Sequence, residues 1–193
     1  MSSLVYKIAT EPWEFEQIHR LNYRTFVEEI PQHTSNPEGR LVDKFHEQNS
    51  YIICLDGQAL LGMVAVRGER PFSLDSKLEN LDSYLPPGRS LCEIRLLAIV
   101  PSRRQATILG GIMAKSGEYI FSHEYDLALI SGTVRQEKLY RRFGFEPFGP
   151  LVGTAEALYQ PMYLRKERVP ESAAWLEKAR AKLAADTHDG GLS

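Results

Sequence analysis

The stretch from Leu91 to Phe145 restricts the fold of this chain more than any other. Leu91 to Val100 is an apolar, β-prone run, and Pro101 closes it by removing a backbone donor. The basic turn Ser102-Arg103-Arg104-Gln105 follows. From Ala106 the period changes, with Ile108, Leu109, Ile112 and Met113 on one helical face. Asp126 to Gly132 reads as a second short strand. Arg135 to Phe143 reads as a short helix stopped by Gly144, which takes the left-handed conformation that a helix end needs. Two strands joined through a helix predict a right-handed parallel crossover. That unit sets the helix N-terminus at the carboxyl edge of the sheet, where N–H groups without internal partners bind phosphate. Arg103 and Arg104, with the N–H groups of Gln105, Ala106, Thr107 and on to Leu109, are the candidate phosphate site. Arginine forks onto phosphate oxygens in a bidentate manner; the alternative is two solvated turn arginines.

The flanking sequence completes a mixed α/β pattern. Leu4 to Ala9 predicts a strand. Thr10-Glu11-Pro12 predicts a helix start, capped by the threonine hydroxyl, and the helix runs toward Ile30 with Phe15, Ile18, Asn22, Phe26 and Ile30 facing inward. Pro31 ends it. Ser50 to Leu55, Asp56-Gly57 and Gln58 to Arg67 predict a tight hairpin, because glycine accepts the positive φ of the turn. Residues 68 to 90 read as a mobile excursion with a short helix over Leu74 to Leu81. Phe145 to Phe148 and Leu158 to Leu164 finish the sheet. The expected fold is α/β (α+β): a largely antiparallel sheet flanked by helices, with one parallel pair forming a cleft.

Length and charge narrow the class. A chain of 193 residues fits one domain, here residues 1–168, followed by a C-terminal helix and frayed tail over 169–193, with the helix from Glu171 to Asp186. The net charge of -2 and pI near 6.2 leave no basic field to recruit nucleic acid or anionic lipid. Cys54 and Cys92 lie in apolar runs without Cys-x-x-Cys or Cys/His spacing, and read as buried reduced thiols. The histidines at 19, 33, 46, 123 and 188 lack metal-ligand spacing, so no metal is expected. With no signal-peptide pattern and no run of membrane-spanning length, the expected location is cytoplasmic and no membrane partner is expected.

The segments Glu93 to Leu109 and Leu139-Tyr140-Arg141-Arg142-Phe143-Gly144-Phe145 resemble the GNAT superfamily of N-acyltransferases. Its members look similar here: a strand with a carboxylate, a hydrophobic-x-Pro end, a turn opening a helix, and an aromatic-Tyr-x-x-x-Gly-Phe segment. The resemblance covers residues 4 to 165. It implies acetyl-CoA or another acyl-CoA as cosubstrate, with the pantetheine amides paired to the strand through a bulge near Leu97 to Ile99. Where the family has glycines in its phosphate turn, this chain reads Ala106, Thr107 and Leu109; Gly110-Gly111 comes slightly late to replace them, and the Thr107 hydroxyl is the substitute on offer. Thr133 stands where the family often has an Asn that touches the cofactor.

Acyl transfer to an amine needs a group that takes the ammonium proton, a stabilised oxyanion and a protonated leaving thiolate. Glu93 is the candidate base; alternation along the strand points it with Arg95, Leu97 and Ile99, and a salt bridge to Arg95 is the competing reading. Tyr140 is the candidate acid, as the matching Tyr of similar enzymes is, or else a packing aromatic. Tyr23-Arg24-x-Phe26-x-Glu28-Glu29 and Asp43-Lys44-Phe45-His46 resemble acyl-homoserine-lactone and N-acyl-amino-acid synthases, which take acyl groups from an acyl carrier protein. Three readings follow. The first is CoA-dependent acyl transfer to a primary amine of a small molecule. The second is synthase chemistry with acyl carrier protein as partner. The third is an acyl-CoA-binding module without turnover. Arg24, Arg67, Arg70 and Arg95 are candidate clamps for an acceptor carboxylate, and a homodimer is compatible with all three readings.

Overall fold

The computed structural model describes residues 4–30, 32–154 and 157–169. The elements are β1 (Leu4–Ile8), α1 (Pro12–Tyr23), β2 (Ser50–Asp56), β3 (Ala59–Arg67), β4 (Leu91–Ile99), α2 (Ala106–Ser122), β5 (Leu127–Thr133), α3 (Glu137–Arg142), β6 (Glu146–Pro147), β7 (Val152–Thr154) and β8 (Ala157–Arg165). They build one sheet in the order β1-β2-β3-β4-β5-β8-β6, with β7 also paired to β8. The β4–β5 pair is parallel and the remaining pairs are antiparallel. The α/β expectation holds. The tail helix expected over Glu171 to Asp186, and Pro31, lie outside the described residues.

The local signals explain most of the elements. Gly57 turns the β2–β3 hairpin at φ +60°. Gly144 follows α3 at φ +88°, the left-handed stop its position predicts. Each face of the sheet buries the apolar set that alternation assigns to it. Ile52, Val64, Val66 and Ile94 pack against Ile108 and Ile112 of α2. On the other face Ile53, Met63 and Ala65 pack against Ile18 and Leu21 of α1.

Four expectations change. The Thr10 hydroxyl does not cap α1; instead the buried Glu14 carboxylate accepts the Thr10 and Glu11 N–H groups at 2.8 and 3.1 Å. The α1 helix stops at Tyr23 and continues as a π-helical turn, Arg24–Glu29, in which Ile30 N–H reaches the Thr25 carbonyl at 2.9 Å. That wider turn breaks the inward stripe, and Ile30 is 46% exposed. Residues 68–90 are no loose excursion, since Phe72, Leu74, Leu78, Leu81 and Leu85 form a third core with Leu127 and Leu129. The short helix expected over Leu74 to Leu81 is a single turn followed by a 3₁₀ turn, Leu81–Tyr84. Finally, Gly111 serves packing: a methyl there would lie 2.1 Å from the Tyr6 ring, whose hydroxyl donates to the Thr107 carbonyl.

Candidate active site

The site begins with an irregularity in β4. Met63 pairs with Ala98 and Ala65 with Arg95, so Val64 alone opposes both Leu96 and Leu97. This is a β-bulge, and Leu96 adopts a left-handed φ of +56° to make it. The bulge expected near Leu97 to Ile99 therefore sits at Leu96–Leu97. It also inverts the alternation. Leu96 joins the α1-side core while Leu97 and Ile99 join the α2-side core. The expectation that Glu93, Arg95, Leu97 and Ile99 share a face is thus corrected: Glu93 and Arg95 face α1 and the loops, and Leu97 and Ile99 face the other way.

The parallel pair opens just before the bulge. Pairing of β4 with β5 ends at Glu93 and Leu129, so the edges after them diverge. The gap is a cleft of about 850 Å³. Leu97, Ala98 and Ile99 form one wall and Thr133 to Gln136 the other. Arg104, Gln105, Ala106 and Leu109 close it at the start of α2, Leu139 and Tyr140 enter from α3, and Tyr159 from β8. Thr25, Glu29 and Ile30 of the π-helical turn complete the rim. Of the expected cofactor residues, the cleft gathers Leu97, Ile99, Arg104, Gln105, Ala106, Leu109 and Thr133, and leaves out Arg103 and Thr107.

The α2 N-terminus has Gln105 at its cap position with no side chain capping it, so its first N–H groups remain available to an anion. Both turn arginines are engaged by carboxylates: Arg104 by Glu29 across the cleft mouth, and Arg103 by Asp56 at 3.4 Å on the hairpin side.

Tyr140 occupies the cleft as expected. Its hydroxyl donates to Gln136 Oε1 at 3.0 Å, and the Thr133 hydroxyl reaches the same oxygen at 3.3 Å. Burial raises the phenol's pKa, so it keeps its proton through neutral pH. Its ring lies over Gly132, where a methyl would come within 2.9 Å of Cδ2. Neither Gln136 nor Gly132 stood out in the sequence. The signal for Gln136 was its place one helical turn before Tyr140.

Glu93 lies elsewhere. It is fully buried, does not line the cleft, and its two oxygens accept the Ser73 N–H at 2.9 and 3.0 Å, with the Ser73 hydroxyl donating as well. In this arrangement its carboxylate touches no space a substrate could enter. Arg67, opposite Glu93 on β3, is buried at 1% exposure with its guanidinium 3.5 Å from the Phe45 ring centre. Arg95 pairs with Asp43 at 3.1 Å. Arg70 pairs with Asp75 and Asp82 on the outer loop. Of the candidate clamps, Arg67 and Arg95 share a neighbourhood beside Phe45, and Arg70 does not join them. Cys54 and Cys92 are buried free thiols, with burial pushing both pKa values up. Among the described residues no cluster is placed to hold a metal, and no helix is long and apolar enough to cross a membrane.

A strand pair that diverges just before a bulge, beside an uncapped helix N-terminus, is the arrangement that the resemblance to the GNAT superfamily leads one to expect. The solved structures agree on the fold. FeeM, an N-acyl amino acid synthase from uncultured soil microbes, superposes with a TM-score of 0.72 at 17% identity, covering 92% of this chain and 98% of that one. The CoA-dependent acyl-homoserine lactone synthase MesI gives 0.71 at 18%, covering 91% and 94%. An acyl-CoA N-acyltransferase from Pseudomonas aeruginosa gives 0.58 at 14%, covering 85% and 99%. No curated protein sequence matches the chain. A family model for the N-acyl amino acid synthase FeeM matches residues 17–168, and the chain belongs to that family. It is an acyltransferase by family.

Proposed function

We propose that this protein moves an acyl group from acyl-CoA to the primary amine of a small molecule by direct attack on the thioester, with a free amino acid as the acceptor that family membership favours. The observation carrying this reading is the opening of β4 from β5 next to Tyr140, with Arg104 and the α2 N-terminus at one end. An extended pantetheine arm would fill the gap and pair with the strand edge freed by the bulge. The pyrophosphate would meet the first-turn N–H groups of α2, taking Arg104 from Glu29. The thioester sulfur would then lie by the Tyr140 hydroxyl, which protonates the departing thiolate as the new C–N bond displaces C–S. Glu93 acts from beneath, holding Ser73 and the 72–78 turn against the sheet.

An acyl carrier protein donor is the second reading. The glycine-poor turn favours it, since Ala106, Thr107 and Leu109 bring side chains where a nucleotide pyrophosphate would approach closely. Thiol release decides between them. Acyl-CoA donors of increasing chain length and the matching acyl carrier protein donors are offered with a panel of amino acids and their amides. Release from CoA donors that depends on an added amino acid is the expected result. Release from carrier protein alone would favour the second reading, and no release from either would overturn both.

A further inference from the structure

We propose that Lys77 takes the proton from the acceptor's ammonium, working on the side of the sheet opposite Tyr140. The inference rests on the acyl-transfer reading above and adds a residue to it. Adjacent residues of a strand point to opposite faces. On β5, Gly132 carries the Tyr140 ring, while its neighbour Ser131 accepts a hydrogen bond from Lys77 Nζ at 3.1 Å. Ser131 lies two residues past Leu129, the last β5 residue paired to β4, and two before Thr133, which lines the cleft, so the ammonium sits beside the cleft on the outer face of β5. The same nitrogen is 4.9 Å from the ring centre of Tyr159, which lines the cleft.

The backbone fixes this position. Lys77 N–H and Leu78 N–H both reach the Leu74 carbonyl, at 3.0 and 2.9 Å, and Leu74 and Leu78 are buried in the core beneath. Four residues earlier, Ser73 is bonded to Glu93. The charged and titratable groups facing Lys77 are Glu93 and Arg95 of β4 and Tyr159 of β8, with Ser131 the polar contact from β5. Among the described residues no carboxylate forms an ion pair with it. The side chain is exposed along its length, but its ammonium lies against Ser131 and Tyr159, and desolvation there lowers its pKa; Glu93 opposes that effect and Arg95 adds to it. A lysine so placed exchanges a proton more readily than a solvated one. Glu93, closed off by Ser73, influences the proton on Lys77 without touching substrate.

The step balances. Neutral Lys77 accepts a proton from the acceptor ammonium and leaves a free amine. The amine's lone pair forms the C–N bond to the thioester carbon, and the C–S electron pair leaves on sulfur, which takes the Tyr140 proton. The second amine proton passes to the phenolate, restoring Tyr140, and Lys77 returns its proton to water.

The test compares K77M and K77R with the wild type across pH 6 to 10, with acyl-CoA and a saturating amino acid, alongside melting curves that show both variants folded. Both should lose about 10²-fold in kcat near neutral pH and regain rate as the acceptor's own ammonium deprotonates. Arginine keeps the charge but cannot give up its proton. A K77R rate equal to wild type would overturn the proposal and make Lys77 a charge that merely holds the acceptor. An unaltered K77M rate would overturn it outright. A wild type that releases no thiol overturns the acyl-transfer reading and this proposal together. One measurement needs no turnover. Acetic anhydride labelling of Lys77 in the wild type, followed by mass spectrometry, should show a midpoint below that of Lys138, and an equal midpoint counts against the proposal.

Discussion

In the proposed reaction Tyr140 would be the acid, and two residues that carry no chemistry hold it in place. Gly132 leaves room for the ring, and Gln136 Oε1 fixes the hydroxyl. Tyr140→Phe removes the proton and keeps the ring, so thiol release should fall about 10²-fold with donor binding unchanged. Gly132→Ala should give a similar loss by a different route, since its methyl displaces Cδ2 and Cε2 from contacts of 2.9 and 3.0 Å. A Gly132→Ala protein with wild-type turnover would show that the ring's position is not critical. Tyr140 was legible from its spacing to Gly144 and Phe145. Its partner Gln136 offered only its spacing, four positions before Tyr140, and that spacing by itself does not say that the two side chains meet. Glu93 shows the converse: a carboxylate in the expected strand position, but closed off by Ser73 from a segment twenty positions earlier. No local reading of the strand contains that contact.

Among the elements, β4 decides the site through its bulge. Leu96→Val keeps an apolar side chain but puts a β-branched residue at φ +56°, and should cost about 1–2 kcal/mol in urea unfolding while weakening donor binding. An unchanged midpoint would mean that the bulge survives without strain or is not held at Leu96. The strand itself was legible from its apolar run, whereas the bulge's place was off by one residue. That single position decided which face Leu97 and Ile99 occupy. The π-helical turn was invisible for a similar reason, since one extra residue per turn needs no distinctive composition. It matters because it carries Glu29 to Arg104. Arg104→Ala should raise the donor KM about tenfold if phosphate takes over this contact. Glu29→Gln should lower that KM, and a rise instead would mean that Glu29 helps to build the site.

At the scale of the whole molecule, the hydrophobic period and the turn signals were enough to read the sheet, its parallel crossover and the flanking helices. The packing of residues 68–90 was not: Leu74, Leu78, Leu81 and Leu85 keep a helical spacing, but the segment forms only single turns, and the spacing does not show that they close a third core on Leu127 and Leu129. Buried titratable groups tie the assembly to pH. Burial, with His46 and Arg40 nearby, depresses the pKa of His19 below its ordinary 6.5. The unfolded chain therefore binds the proton first, and stability present above pH 6.5 is lost as pH falls below it. Glu14 adds to this lower down: burial alone would raise its pKa, but Lys7 and the Thr10 and Glu11 N–H groups hold it below 4.5. Urea midpoints should thus decline from pH 7 to pH 4, and a flat profile would contradict both assignments. The most direct test of the whole account is a crystal structure with a non-hydrolysable acyl-CoA analogue. It should show the pantetheine arm between β4 and β5, the pyrophosphate on the α2 N-terminus, and the atom replacing sulfur within about 3.5 Å of the Tyr140 hydroxyl. An analogue bound outside that gap, or a phenol turned away from it, would contradict the account.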